Sequence, residues 1–215
     1  MSAEGDVDKI VRDELFPSKN DGVLVEVGAA RPDYLSIGES FRKLGWRVIG
    51  IEPNPRFAAM HRALGNEVYE YACSVVEQDD VDFQIISATE PIAMMDGSIS
   101  DESFSSLKIR GEYAVMFEKL RSKFSIQTIK VKVRKLDTIL RDIAKVGKVD
   151  VVSIDVEGWE RECLMGLQAY RPRVIIVENL FDTNLTAELL AARGYVRWKM
   201  LAPNDVYVLA NELPA

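Results

Sequence analysis

Gly22 opens onto Val23-Leu24-Val25-Glu26-Val27, and the chain then reaches Gly28-Ala29-Ala30. A short apolar run broken only by Glu26 is the pattern of a strand covered on both faces, as in a parallel sheet. Small residues straight after such a strand allow a sharp turn and a close approach of a ligand to the main chain. A second run, Val48-Ile49-Gly50-Ile51, ends in Glu52, twenty-four residues after Gly28. An acidic side chain at that offset, on the end of the second strand, is placed to accept hydrogen bonds from ribose hydroxyls. The first half of the chain therefore reads as a nucleoside-binding half-fold.

The glycines narrow the ligand. A dinucleotide site places Gly-x-Gly-x-x-Gly against a pyrophosphate. Here only Gly28 is present, and Ala30 and Asp33 hold the next two positions. A ligand with a ribose and no phosphate fits better, and S-adenosylmethionine is the common one. Its ammonium group favours a nearby carboxylate, which Glu26 or Asp33 supplies.

A length of 215 residues suits one α/β domain spanning 1–215. The formal net charge of −7 argues against a nucleic-acid surface and against docking on anionic lipid. No apolar run approaches 18 residues, so no transmembrane span is expected. Met1 to Asp8 is too polar and acidic for a signal peptide. The two cysteines, Cys73 and Cys163, read as reduced thiols, and the expected compartment is the cytoplasm.

Along the chain, Asp6 to Phe16 is an amphipathic helix expected to cover an edge of the fold. Tyr34 to Leu44 is a helix closed by Gly45, and Pro53-Asn54-Pro55 starts another that ends at Gly65. Glu67 to Ala72 is a third strand, with Cys73 and Ser74 just past its end, where an adenine edge is expected. Val81 to Ser87 and Gln127 to Val133 alternate as strands. Between them, residues 88–125 mix Gly, Ser, Met and charge, including Met94 and Met95, and read as an insertion that covers the site. Leu136 to Lys145 is a helix. Val149 to Asp155 and Arg173 to Glu178 are further buried strands, each followed by a helix. Tyr195 to Leu201 and Val206 to Leu209 form a closing antiparallel hairpin.

Three of these stretches carry a resemblance. Val25-Glu-Val-Gly-Ala-Ala, Ile51-Glu-Pro-Asn-Pro55 and Ile154-Asp-Val-Glu-Gly-Trp-Glu160 resemble, in order and spacing, the signatures of the FkbM family of methyltransferases. Leu136-Asp137 before a helix fits the same family, and the similarity runs from about Val23 to Asn179. The departure is Arg31-Pro32-Asp33, where many members carry Asn and Gly. The resemblance implies a Rossmann-like seven-stranded sheet, mostly parallel with a C-terminal antiparallel hairpin and helices on both faces. It also implies methyl transfer from S-adenosylmethionine, mostly to hydroxyl oxygens of sugars, glycolipids or polyketides. The expected partner is a small-molecule or glycan acceptor.

Ligands in such sheets bind at the carboxyl ends of the strands. The residues expected around the cofactor are Glu26, Gly28, Ala29, Asp33, Glu52, Pro53, Cys73, Ser74 and Asp155. Transfer to an oxygen needs the acceptor positioned and its proton removed. The only histidine, His61, falls inside the second crossover helix, roughly 10 Å or more from the strand ends by helical rise. It is expected on the surface or in helix packing. A carboxylate base is the better candidate: Asp155 or Glu157 first, with Glu178 at the same edge. A magnesium ion at Asp155, Glu178 and Asn179 is an alternative, not the favoured one. A nicotinamide reductase is the competing enzyme class. It has a Tyr195-x-x-x-Lys199 spacing, but on a segment that alternates as a strand. A non-catalytic nucleoside-binding protein is the third class. Like-charged side chains crowded on one sheet edge speak against it.

Overall fold

The computed structural model describes residues 3–88, 105–181 and 184–213. A 3-10 turn, Glu4–Asp6, leads into α1, Val7–Leu15. The elements β1 Val23–Val27, α2 Gly38–Arg42, β2 Arg47–Ile51, α3 Pro55–Ala63 and β3 Glu67–Tyr69 follow. Next come β4 Ala72–Cys73, β5 Gln78–Ala88, α4 Gly111–Leu120 and β6 Phe124–Arg134. A short helix, α5 Leu136–Thr138, continues as a π-helix over Ile139–Ile143. The chain closes with β7 Val151–Ile154, α6 Glu160–Met165, β8 Val174–Glu178, α7 Leu185–Ala191 and the hairpin β9 Tyr195–Leu201, β10 Asn204–Leu209.

Seven strands form one sheet in the order β3-β2-β1-β7-β8-β10-β9. β3 through β8 run parallel, and β10 and β9 close the edge antiparallel, as the sequence leads one to expect. The alternation of each strand divides the core in two. Val25, Val27, Val152, Ile154, Ile175 and Val177 face one side, packed with Leu136, Ile139, Leu140 and Leu164. Leu24, Val48, Val151, Val174, Ile176 and Val206 face the other, under α1 and α2. The amphipathic helix α1 thus covers a sheet face, through Val7, Val11 and Leu15, and not an edge.

Several boundaries differ from those expected. The helix expected over 34–44 shrinks to Gly38–Arg42. Leu35 takes φ 53°, which breaks the helical path. The Glu26 carboxylate accepts from Ser36 Oγ and from the Gly38 N–H (3.1 Å), so the helix starts where β1 supplies its cap. The strand expected over 67–72 splits into β3 and β4, and β4 joins a different sheet. That second sheet has the order β4-β6-β5, with β5 and β6 as a long antiparallel hairpin. Residues 89–104 of the expected insertion, with Met94 and Met95, lie outside the described residues.

Strand order reverses between β1 and β7: the chain runs outward from β1 to β3, then returns to β7 on β1's other side. This is the switch point at which parallel sheets open a crevice beyond the carboxyl ends of their strands.

Candidate functional site

A cavity of about 760 Å³ opens there. Its walls include Gly28, Ala29 and Ala30 after β1, Glu52 and Pro53 after β2, Cys73 of β4, Asp155 and Glu157 after β7, and Glu178 and Asn179 at the end of β8. Gly28 makes the two central turns fit. Its φ is 78°, and a Cβ there would meet the Asp155 carbonyl oxygen at 1.7 Å. Only glycine lets the β1 and β7 loops lie this close.

On the β1–β2 side the carboxylates are held by the backbone. Glu52 is buried, accepting from the Ala30 N–H (2.8 Å) and the Asn54 N–H (2.7 Å). It fixes the turn after β1 and the entry to α3, and its oxygens retain further acceptor capacity. Glu26 is buried between Ser36, Gly38 and the Arg42 guanidinium (3.7 Å).

His61 is fully buried in helix packing. Its Nε2 lies 3.1 Å from the Ala30 carbonyl oxygen, and its Nδ1 lies 3.4 Å from Asn66 Nδ2. These partners suit the tautomer with the proton on Nε2. Burial pushes its pKa down, so the ring is neutral and braces the turn from below. The 10 Å separation expected by counting along α3 fails because the helix folds back beneath the loop.

Two expected cofactor residues fall away from the cavity wall. Asp33 is exposed and paired with Arg31 (3.0 Å), and Arg31 itself lines the cavity. Ser74 is buried behind Cys73, with its N–H given to the Arg134 carbonyl (3.1 Å). Cys73 and Cys163 are both free and buried. A hydrogen bond with Cys73, together with burial, pushes the Cys163 thiol up, so it is no nucleophile.

On the β7–β8 side the carboxylates crowd each other. One oxygen from each of Asp155, Glu157 and Glu178 lies within 4.8 Å of the others. Asp155 is exposed at the cavity wall, just past the end of β7. Removal from bulk water, then the nearby charge of Glu160, raises its carboxyl to about 7. Glu157 and Glu178 are driven well above the usual carboxylate range, first by burial, then by charged neighbours (Glu178 for Glu157, Asp155 for Glu178). Glu157 sits at φ 55°, an uncommon conformation for a residue with a side chain, and its Oε2 is buried with no hydrogen-bond partner. Three such groups cannot all ionise, so the cluster holds protons at neutral pH. An oxygen-only trio at this spacing also suits a hard divalent cation. Asn179, the third residue of the alternative magnesium set, also lines the cavity and donates its amide Nδ2 to Asp205 (2.9 Å).

The sequence did not point to the residues of the insertion that close on this trio. Arg110 donates to the Gly158 carbonyl (2.7 Å), pairs with Glu162 and lies 3.8 Å over the Trp159 ring. The Trp159 indole N–H donates to the Lys108 carbonyl (3.0 Å), and Ser105 and Leu107 line the cavity. Trp159 therefore packs against the insertion and the cavity, not in a core. Tyr113 of α4 donates its hydroxyl to Glu178 Oε2 (2.5 Å). The only signal for these contacts was their place in the insertion over 88–125, which carries no information on what each side chain faces.

The reductase spacing does not assemble. Tyr195 and Lys199 both lie on β9, where Tyr195 donates to the Pro172 carbonyl (2.7 Å) and Lys199 pairs with Glu14 (2.5 Å). Among the described residues no helix is long and apolar enough to cross a membrane. No curated protein matches the chain. The model of the methyltransferase FkbM domain matches residues 26–196, from the carboxylate of β1 through both halves of the cavity to the start of β9, and the chain belongs to the FkbM methyltransferase family.

Proposed function

We propose that the protein is an S-adenosylmethionine-dependent O-methyltransferase acting on a hydroxyl of a sugar-like, glycolipid or natural-product acceptor. The observation that carries this is the division of one cavity into two differently built acidic walls. Glu52, held at the end of β2, is placed for the ribose, and Cys73 for the adenine edge. Glu26, behind the turn, adds negative charge on the side assigned to the methionine ammonium group. The cofactor, when bound, supplies an electrophilic methyl group on a sulfonium. The chain's own task is to hold the acceptor oxygen in line and take its proton.

Asp155 is the residue for that step. It opens to the cavity, and a carboxyl raised to about 7 is a stronger base than an ordinary aspartate yet still ionised at slightly alkaline pH. Burial and the charge of Asp155 favour the protonated form of Glu178, which keeps the charge of the pair tolerable, while Glu157 lines the cavity beside them. The described part of the insertion, fastened by Arg110 and Tyr113, closes one side of the cavity and supports its reading as a cover within a single domain. Two free cysteines suit a reducing compartment such as the cytoplasm.

The test is calorimetric titration of the purified protein with S-adenosylmethionine and, separately, with NADH. Heat with the first alone is expected. Heat with NADH alone would replace this reading with a reductase, and no heat with either would favour a non-catalytic role.

A further inference from the structure

We propose that Arg31, at the end of the turn after β1, binds the carboxylate of the cofactor's methionine end. This rests on the S-adenosylmethionine reading above and deepens it, because that reading leaves the carboxylate without a partner.

The cavity is acidic on both sides. Glu26 and Glu52 stand on one wall, Asp155, Glu157 and Glu178 on the other, and Glu4 enters from the N-terminal turn. Arg31 is the only lysine, arginine or histidine among the described residues that line it. Arg42, 3.7 Å from Glu26, and His61, buried beneath the turn, do not line the cavity. S-adenosylmethionine carries an ammonium, a sulfonium and one carboxylate. Acidic walls suit the first two and repel the third. A carboxylate brought in with no cation beside it is a charge taken from water and set among like charges, which is costly. The ammonium and the carboxylate sit on one carbon. Glu26 before the turn and Arg31 after it supply the two opposite charges that such a group needs.

The backbone fixes where Arg31 emerges. The Ala30 N–H donates to Glu52 (2.8 Å), and the Ala30 carbonyl oxygen lies 3.1 Å from His61 Nε2. Both polar backbone atoms of the preceding residue are thus held. Pro32 follows and disfavours helical backbone at Arg31. The exposed Asp33 carboxylate then accepts from Arg31 Nε (3.1 Å) and Nη2 (3.0 Å), which orients the side chain from the solvent side. A guanidinium has five N–H donors in a planar fork, so an arginine grips one carboxylate along one edge and meets a second along another. The stretch Arg31-Pro32-Asp33, where the chain departs from its family, therefore works as a unit: a cation, a stiff backbone behind it and a holder for its side chain.

Calorimetric titration with S-adenosylmethionine and with decarboxylated S-adenosylmethionine, which keeps the adenosine, sulfonium and ammonium, tests this without any acceptor. The wild type should bind the carboxylate-bearing ligand more tightly. Arg31→Gln should weaken S-adenosylmethionine about 10- to 100-fold, the value of hydrogen bonding between charged groups, and should not weaken the decarboxylated ligand. Arg31→Lys keeps the charge without the fork and should recover part of the loss. An equal loss for both ligands would make Arg31 a structural residue of the turn. Unchanged affinity for S-adenosylmethionine would leave Arg31 to a carboxylate on the acceptor. Either result would overturn the proposal and leave the methyltransferase reading standing. Failure of the wild type to bind S-adenosylmethionine would overturn both.

Discussion

The two walls of the cavity use the same residue types on the same sheet edge and do different things with them. On the β1–β2 wall, Glu26 and Glu52 are held by backbone N–H groups and an arginine, and they act as fixed anchors for turns. On the β7–β8 wall, Asp155, Glu157 and Glu178 face each other with one phenol for a donor. A carboxylate fed by N–H groups shapes the backbone; a carboxylate fed by other carboxylates stores protons. On the proposed reading, the chain separates binding from proton transfer by which strand ends receive backbone donors.

The largest effect that tests this contrast is loss of the base. Asp155→Asn should lower methyl transfer by about 10²–10⁴-fold, the usual contribution of a positioned base, with cofactor affinity retained. Transfer of a labelled methyl group to a panel of hydroxylated acceptors measures it. The wild-type rate should fall as pH drops through 7, because Asp155 must be ionised. Stability runs the other way. The folded-state pKa is raised above the ordinary aspartate value, so stability is greatest at acid pH and declines as pH rises from about 4 to about 7. Asp155→Asn should therefore melt higher than wild type at pH 8, by on the order of 1 kcal/mol since cavity water reaches the group. A variant less stable at pH 8 would show that the trio is structural cement.

Gly28→Ala comes next, and it strikes both walls at once. A methyl group at 1.7 Å from the Asp155 carbonyl must push the β1 and β7 loops apart. Overpacking and the left-handed φ together should cost about 3 kcal/mol or more, read as a lowered thermal midpoint. Normal stability would mean that the loops separate freely.

The contrast between the walls also marks what the sequence could say. The buried runs from Val23, Arg47 and Val149 gave the sheet, because period and length are local properties. The places of Glu52 and Asp155 on the cavity wall were legible because a strand end fixes where a side chain emerges. Asp33 was misassigned because a neighbouring arginine captures it on the surface. Tyr113 was invisible because its partner, Glu178, lies sixty-five positions away, and no local pattern encodes that pairing. The helix-packing place of His61 was legible, but its contact with the Ala30 carbonyl was not: distance along a helix says nothing of what the helix folds against.

Glu52→Gln should give a smaller change than either. Glutamine keeps one oxygen acceptor, so one of the two turn bonds survives. Affinity for S-adenosylmethionine should fall about tenfold, near the value of one hydrogen bond to a charged group, and the thermal midpoint should fall with the lost turn bond. Unchanged affinity would take the ribose away from this wall.

The smallest expected effect is that of chelation. Spacing within 4.8 Å suits either shared protons or a divalent cation, and the two make opposite predictions. Protons bring the carboxylates together by hydrogen bonds, and the bond from Tyr113 to Glu178 then gains nothing from a metal. A cation would need every oxygen ionised and would pull the titration near 7 far down. EDTA added to the purified protein should leave methyl transfer unchanged, and Mg²⁺ added back should do the same. A transfer rate that collapses with EDTA and returns with Mg²⁺ would turn the proton store of the β7–β8 wall into a metal centre. Asp155 would then be a ligand and no longer the base.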